Sequence, residues 1–317
     1  MSGRWIRRAA ALIGAAAVLL TIISLWCPAA LLHGVVVWQR AVTGFSRREI
    51  QTASGPVPYL DGGRGPVVVL LHGYQDQKDT WLAFAGHLTD RYRVLIPDLH
   101  GFGENHARTN GDYRPRAQAA RVHDFLTALG VSRAHVAGVS MGGEIAGVYA
   151  AEYPAETLTL ALFSAAGVRP DTLSALGRRI VGGDDVFHVV DLATLDTLVA
   201  LIADSGLFLP VIFKRAMVAE YLTRNPQWDT VFRQLTEPAT RYLLDSIAPD
   251  IAARTLVVWG VHDPLFPVSG GRRLAARIRR AEFAVLPDCG HLCPATRPAE
   301  VAGYYRGFLS GAGGLAR

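Results

Sequence analysis

Cysteine is scarce in this chain, with three in 317 residues. Cys27 lies in an apolar run, and Cys289 and Cys293 straddle His291 without forming a C-x-x-C pair, so neither a disulfide framework nor a zinc site is indicated. Free thiols are the expectation for both, although a spacing of four permits a bridge given favourable backbone geometry. Internal repeats and low-complexity tracts are absent too, which excludes a solenoid. Excess charge is missing from most of the chain. Residues 1–50 hold Arg4, Arg7, Arg8, Arg40, Arg47 and Arg48 against Glu49 alone, and this accounts for the whole net charge of +5. The remainder is formally neutral, so a nucleic-acid-binding face has no support.

Long hydrophobic runs are few, and one stands out. Ala9 to Leu32 carries no charge and the stretch stays nearly apolar to Trp38, long enough to cross a bilayer as a helix. A cleaved signal peptide is the competing reading, but no A-x-A pattern closes the run, so an uncleaved single-pass anchor is favoured. Pro28 is expected to kink or end it, and Trp38 suits the interface. Three arginines just before the run favour a cytoplasmic N-terminus, which in a bacterium places the rest of the chain outside the inner membrane.

Half the residues are apolar, enough for one large domain with an insertion. Residues 1–45 read as anchor and charged linker, 46–167 as the first part of a core, 168–250 as a helical cap and 251–317 as the second part. Glu49 to Leu60 has the mix of a hairpin, and Asp61 to Pro66 reads as a turn. Strands are predicted at Val67–Leu71, Tyr92–Pro97, Ala134–Val139, Thr157–Phe163, Thr255–Gly260 and Glu282–Leu286. Helices are predicted at Thr80–Leu88, Pro115–Leu129, Gly143–Glu152, Ser269–Ile278 and Pro298–Ser310. Apolar strands alternating with helices imply an α/β fold, a doubly wound and mostly parallel sheet. The alternation breaks over 168–250, where Leu192, Leu195, Val199 and Ile202 keep helical spacing.

Gly138-Val139-Ser140-Met141-Gly142 falls between the third of these strands and its helix. A turn that tight pushes the serine hydroxyl outward and needs glycines where the two elements approach. The helix dipole and the N–H of Met141 then face the place where negative charge would develop. A serine nucleophile needs a base and an acid, which follow it on later loops of such a sheet. His291, in the loop after the last strand, is the candidate base. Asp263, just past the strand before it, is the candidate acid, with Asp171 a more distant alternative. The second oxyanion donor is expected at the N–H of Tyr74, after His72-Gly73. Asp98-Leu99-His100-Gly101-Phe102-Gly103 reads as a structural loop that shapes the pocket. Within the apolar run from Leu207 to Phe213, Phe208 and Phe213 are candidates for an acyl channel, against the plainer reading that the run only packs the cap.

These residues resemble the α/β-hydrolase fold family, and more closely its membrane-anchored monoacylglycerol lipase branch, over roughly residues 60–310. The likeness rests on His72-Gly73-Tyr74 with Lys78-Asp79-Thr80-Trp81, on Gly138 to Gly143 with Ala146 to Ala151, on Trp259-Gly260 before Asp263, and on Cys289-Gly290-His291. It implies hydrolysis of acylglycerols or similar lipid esters through an acyl-serine intermediate, with no cofactor and no metal. A carbon–carbon bond hydrolase of ring-fission products and a non-catalytic binding protein share the scaffold as alternatives. Dehalogenases and epoxide hydrolases of this fold use an aspartate nucleophile, where position 140 is serine.

Overall fold

Val67-Val68-Val69-Leu70-Leu71 contains no polar residue because both faces of its strand are covered. Val68 and Leu70 join one apolar cluster, and Val69 and Leu71 join the other on the opposite face. The same alternation recurs in Thr157–Phe163, whose Leu160 and Leu162 face one cluster while Ala161 and Phe163 face the other. In the computed structural model residues 28–106, 111–202 and 210–311 are described, with only the backbone of 28–32.

The strands are β1 (Phe45–Thr52), β2 (Gly55–Gly63), β3 (Val67–Leu71), β4 (Arg93–Pro97), β5 (Ala134–Val139), β6 (Thr157–Phe163), β7 (Arg254–Gly260) and β8 (Ala281–Leu286). They form one sheet in the order β1-β2-β4-β3-β5-β6-β7-β8. The β1–β2 and β2–β4 pairs are antiparallel, and every pair from β4–β3 to β7–β8 is parallel. Helices Pro115–Ala128 and Met141–Glu152 contribute to one core cluster, and Leu82–Ala85 and Pro298–Leu309 to the other. Between β6 and β7 the chain runs through helices Ala175–Val181, Leu192–Ile202, Val211–Thr236 and Leu243–Ile247.

Several expectations need correction. Residues 40–48 are no linker: Arg40 lies in the last turn of a helix, Pro28–Val42, and β1 starts at Phe45, paired with β2 from Phe45↔Gly62 to Thr52↔Gly55. Asp61 to Gly63 belong to β2, which leaves only Arg64 to Pro66 for the turn. The expected helix Thr80–Leu88 is a 3-10 turn, Lys78–Trp81, followed by a short helix, Leu82–Ala85. Cys289 and Cys293 are bonded to each other, with Cα atoms 5.8 Å apart, where free thiols were expected; the loop between them folds back into the short helix that opens at Cys293. Most of the apolar run Ala9–Leu32, with Cys27, lies outside the described residues. Among the described residues no helix is long and apolar enough to cross a membrane.

The 3-10 turn owes its shape to a buried charge. Lys78 has no exposed surface, and its Nζ donates to Asp98 Oδ2 at 2.6 Å and to Glu104 Oε1 at 2.7 Å. Its backbone N–H donates to Asp98 Oδ1 at 2.9 Å. Arg40 closes the group from the N-terminal helix, with Nε and Nη2 at 2.6 and 2.7 Å from the Asp79 carboxylate. Burial works against the charge on Glu104, but hydrogen bonds from Lys78 and Arg47 outweigh it and lower its carboxyl to about 2. Its stabilising share is thus present above the ordinary carboxylate range and fades as pH falls towards 2. Removing the cation leaves Asp98 buried and unpaired. Lys78→Met should therefore cost about 3–5 kcal/mol in urea unfolding, and a loss below about 1 kcal/mol would show that the group is not a structural tie.

Candidate active site

Ser140 stands at the end of β5 and at the start of the helix Met141–Glu152, with φ 55° and ψ −122°. A non-glycine residue holds such a backbone only where its surroundings over-determine it. Three hydrogen bonds do so: Ser140 N–H donates to Phe163 O at 3.0 Å, and Ser140 O accepts from Ala166 at 2.9 Å and from Glu144 at 3.1 Å. The flanking glycines are steric requirements. A Cβ on Gly138 would stand 2.1 Å from Gly142 O, and one on Gly142 would stand 2.3 Å from Leu71 O. The elbow can form only if both positions lack a side chain.

Met141 is the first helical residue, so its N–H has no partner within the helix and points to the side on which Ser140 lies. The loop after β3 comes up against the same serine, since a Cβ on Gly73 would lie 3.5 Å from Ser140 Cβ and 4.0 Å from Oγ. Tyr74 follows directly, and then Gln75 with φ 56°. His72, fully buried, braces this loop: its Nε2 accepts from Leu99 N–H at 3.0 Å, which leaves Nδ1–H to donate to Gly73 O at 2.9 Å.

His291 and Asp263 are brought together in the loops after β8 and β7. His291 Nδ1 lies 2.9 Å from Asp263 Oδ2, and both side chains are buried. The other oxygen of Asp263 accepts from Leu265 N–H at 3.0 Å and Phe266 N–H at 2.9 Å, so the carboxylate is fixed before it meets the ring. A carboxylate can only accept, so Nδ1 carries the proton and Nε2 is left as the basic nitrogen. Among the described residues no hydrogen bond joins Ser140 Oγ to His291. Loose nucleophile–base contacts are common and tighten as the transition state forms. Asp171 does not reach this group; it is exposed, and its N–H donates to Ser269 Oγ at 3.3 Å.

Ser140 and Met141 open onto a cavity of about 890 Å³, mouth included, whose walls are mainly apolar side chains such as Val168, Leu173, Phe187, Phe232, Leu265 and Phe266. Phe213 is not among its lining residues; it sits half-buried on the helix Val211–Thr236. Phe208 lies outside the described residues. The same long helix covers the site and is tied across it. Trp228 O accepts from Tyr74 Oη at 2.9 Å, Arg224 donates to Gly103 O at 3.1 Å, and Gln234 Oε1 accepts from Tyr113 N–H at 2.6 Å.

Two groups went unnoticed at the level of sequence. Glu144, one turn beyond the serine, is buried in the cavity wall. Asp185 and His188, in the segment after Val181, and Asp229, on the long helix, hold their ligand atoms within 4.8 Å of one another, the group among the described residues that could take a metal. His188 Nδ1 is already 2.9 Å from Asp229 Oδ1.

Comparison with known proteins places this geometry. Residues 66–298 match the family model described as the alpha/beta hydrolase fold. A monoacylglycerol lipase, abhd6-A of Xenopus laevis, is 29% identical over 78% of this chain and 76% of its own length. Lipase 1 of Psychrobacter immobilis is 29% identical over 87% and 88%. Among solved structures, a membrane phospholipase A described as a bacterial virulence factor superposes with a TM-score of 0.86 at 33% identity, covering 98% of this chain and 99% of that one.

Substitution separates the roles within the site. Ser140→Ala and His291→Ala should each lower kcat for ester hydrolysis by ~10³ or more while the protein stays folded, and Asp263→Asn somewhat less, because the acid orients the base without taking its proton. Initial rates with matched melting curves check this. More than about a tenth of wild-type kcat in Ser140→Ala would remove the serine from the chemistry.

Proposed function

Because the chain belongs to the alpha/beta hydrolase fold family, we propose that it is a serine hydrolase of carboxylic esters, with acylglycerols or similar lipid esters as substrates. The observation that carries this reading is the His291–Asp263 pair at 2.9 Å, in the loops beside a strained Ser140 that opens onto an apolar cavity. Ser140 Oγ attacks the ester carbonyl carbon as His291 Nε2 takes its proton. The oxyanion is received by the N–H groups of Met141 and Tyr74, whose fixed dipoles are worth most where charge develops. Collapse breaks the bond to the alkoxy oxygen, and the alcohol leaves with the proton from His291. Water, deprotonated by the same nitrogen, then attacks the acyl-serine, releases the carboxylic acid and restores the serine.

A lipid substrate is supported by the apolar cavity wall and by relatives named as lipases. Each methylene buried there is worth up to ~0.8 kcal/mol, so kcat/KM should climb several-fold per added pair of carbons until the cavity is full. A series from acetyl to decanoyl esters tests it. Phe187→Ala, in the cavity wall, should shift the preferred length, and a flat profile would leave lipid esters unsupported.

Attachment to a membrane through the uncharged run from Ala9 belongs to the same reading. Helix Pro28–Val42 continues that run and leaves Val35, Trp38 and Val42 exposed along one side. The Cys289–Cys293 bridge suits an oxidising compartment, in keeping with a catalytic part held outside the inner membrane of a bacterium. The full chain should sediment with membranes and resist a carbonate wash, whereas a chain beginning at Pro28, which keeps the helix tied by Arg40 to Asp79, should lose that resistance. A full-length chain that is wholly soluble at its uncleaved mass would refute the anchor.

A further inference from the structure

Glu144 is 2% exposed, and its Oε1 has neither solvent contact nor a hydrogen-bond partner. A buried carboxyl without a partner is expensive and is kept only where something uses it. The loop after β6 makes room for it: Gly167 has φ 75°, and a Cβ there would lie 2.3 Å from Glu144 Oε1. Glu144, Gly167 and the nucleophile line one cavity. Burial pushes the Glu144 carboxyl well above the usual carboxylate range, and no charged neighbour opposes that. Burial thus favours the protonated form, which has one O–H to donate and oxygens to accept.

Several other polar side chains of the cavity wall are already committed. Tyr74 Oη donates to Trp228 O at 2.9 Å, Trp259 Nε1 to Phe266 O at 2.7 Å, Thr236 Oγ1 to Phe232 O at 2.8 Å and Arg241 Nε to Thr236 O at 2.8 Å. Glu144, one turn beyond the serine, has no such partner and can meet a polar atom that an ester brings. A neutral carboxyl both donates and accepts, and so does a hydroxyl.

We propose that Glu144 is a specificity-determining residue that binds a hydroxyl carried by the ester close to its carbonyl, so that the preferred substrates are hydroxylated esters rather than plain alkyl esters. The proposal rests on the ester-hydrolase reading. The hydroxyl can belong to the alcohol, as in a glyceryl ester, or to the acyl chain, as in a β-hydroxyacyl ester, and the chemistry at Glu144 is the same.

The test compares kcat/KM for glyceryl monodecanoate, propyl β-hydroxydecanoate and propyl decanoate in wild type, Glu144→Gln and Glu144→Met. Gln keeps a donor and an acceptor in the same shape; Met is of similar size and apolar. For whichever hydroxylated ester Glu144 serves, its kcat/KM relative to propyl decanoate should fall about tenfold or more in Glu144→Met and stay within about threefold of wild type in Glu144→Gln. The ester whose ratio falls identifies the source of the hydroxyl. If Glu144→Met melts below the assay temperature, the ratios are read on Glu144→Ala. Ratios for both hydroxylated esters that stay within about twofold of wild type in the apolar variant would overturn the proposal and make Glu144 a packing residue. No turnover of any of the three esters by wild type would overturn the ester-hydrolase reading itself, and this proposal with it.

Discussion

The backbone of Ser140 is held at φ 55°, and the arrangement of the central sheet follows from what it takes to hold it there. The helix behind the serine can start only where Gly142 passes 2.3 Å, in would-be Cβ contact, from Leu71 O at the end of β3, and where Gly138 does the same against Gly142. That requirement fixes β3 and β5 side by side with their ends level, in the observed register Leu71↔Gly138. The loop after β3 is thereby delivered to the serine. The Phe163 carbonyl that accepts the Ser140 N–H ties β6 to the same point, and β7 and β8 follow in parallel with Asp263 and His291 just past their ends. Strain at one residue is thus offset by hydrogen bonds from the end of β6, the loop after it and the helix behind the serine.

Charge holds the surroundings of that point. Lys78 and Asp98 are both fully shielded from solvent, and they lock the turn after the Tyr74 loop to the loop after β4. Such a pair adds little net stability compared with an apolar core, but it admits one arrangement, because either partner left alone is a bare buried charge. Arg40 extends the tie to the helix Pro28–Val42, which also packs against the long helix Val211–Thr236. The N-terminal helix, the active-site loops and the covering helix therefore share one set of contacts.

Much of this was legible in the sequence, for identifiable reasons. The strands buried on both faces announce themselves as apolar runs, and β3, β5 and β6 start and stop where the pattern says. Ser140, Asp263 and His291 carry fixed relations to strand ends, so finding the strands locates them. The failures also have causes. Arg40 to Arg48 looks like a charged linker because Arg40 and Arg47 serve partners far along the chain, at Asp79 and Glu104, which no local pattern records. Phe213 looked like a channel residue because an apolar run does not say which side faces a cavity. Glu144 does not stand out in the sequence because a glutamate in a helix is ordinarily on its wet side. The helix Met141–Glu152 is buried nearly all round, so that rule fails there. The Cys289–Cys293 bridge is not legible because sequence spacing alone does not show how the backbone between them turns.

The central claim is that Ser140 is the nucleophile and passes through a covalent intermediate. Intact-mass spectrometry of the full-length protein after treatment with a fluorophosphonate, followed by peptide mapping, tests it most directly. One adduct per chain, mapped to Ser140 and absent from Ser140→Ala and His291→Ala, is the predicted result. An adduct on another residue, or undiminished labelling of Ser140→Ala, would contradict the account.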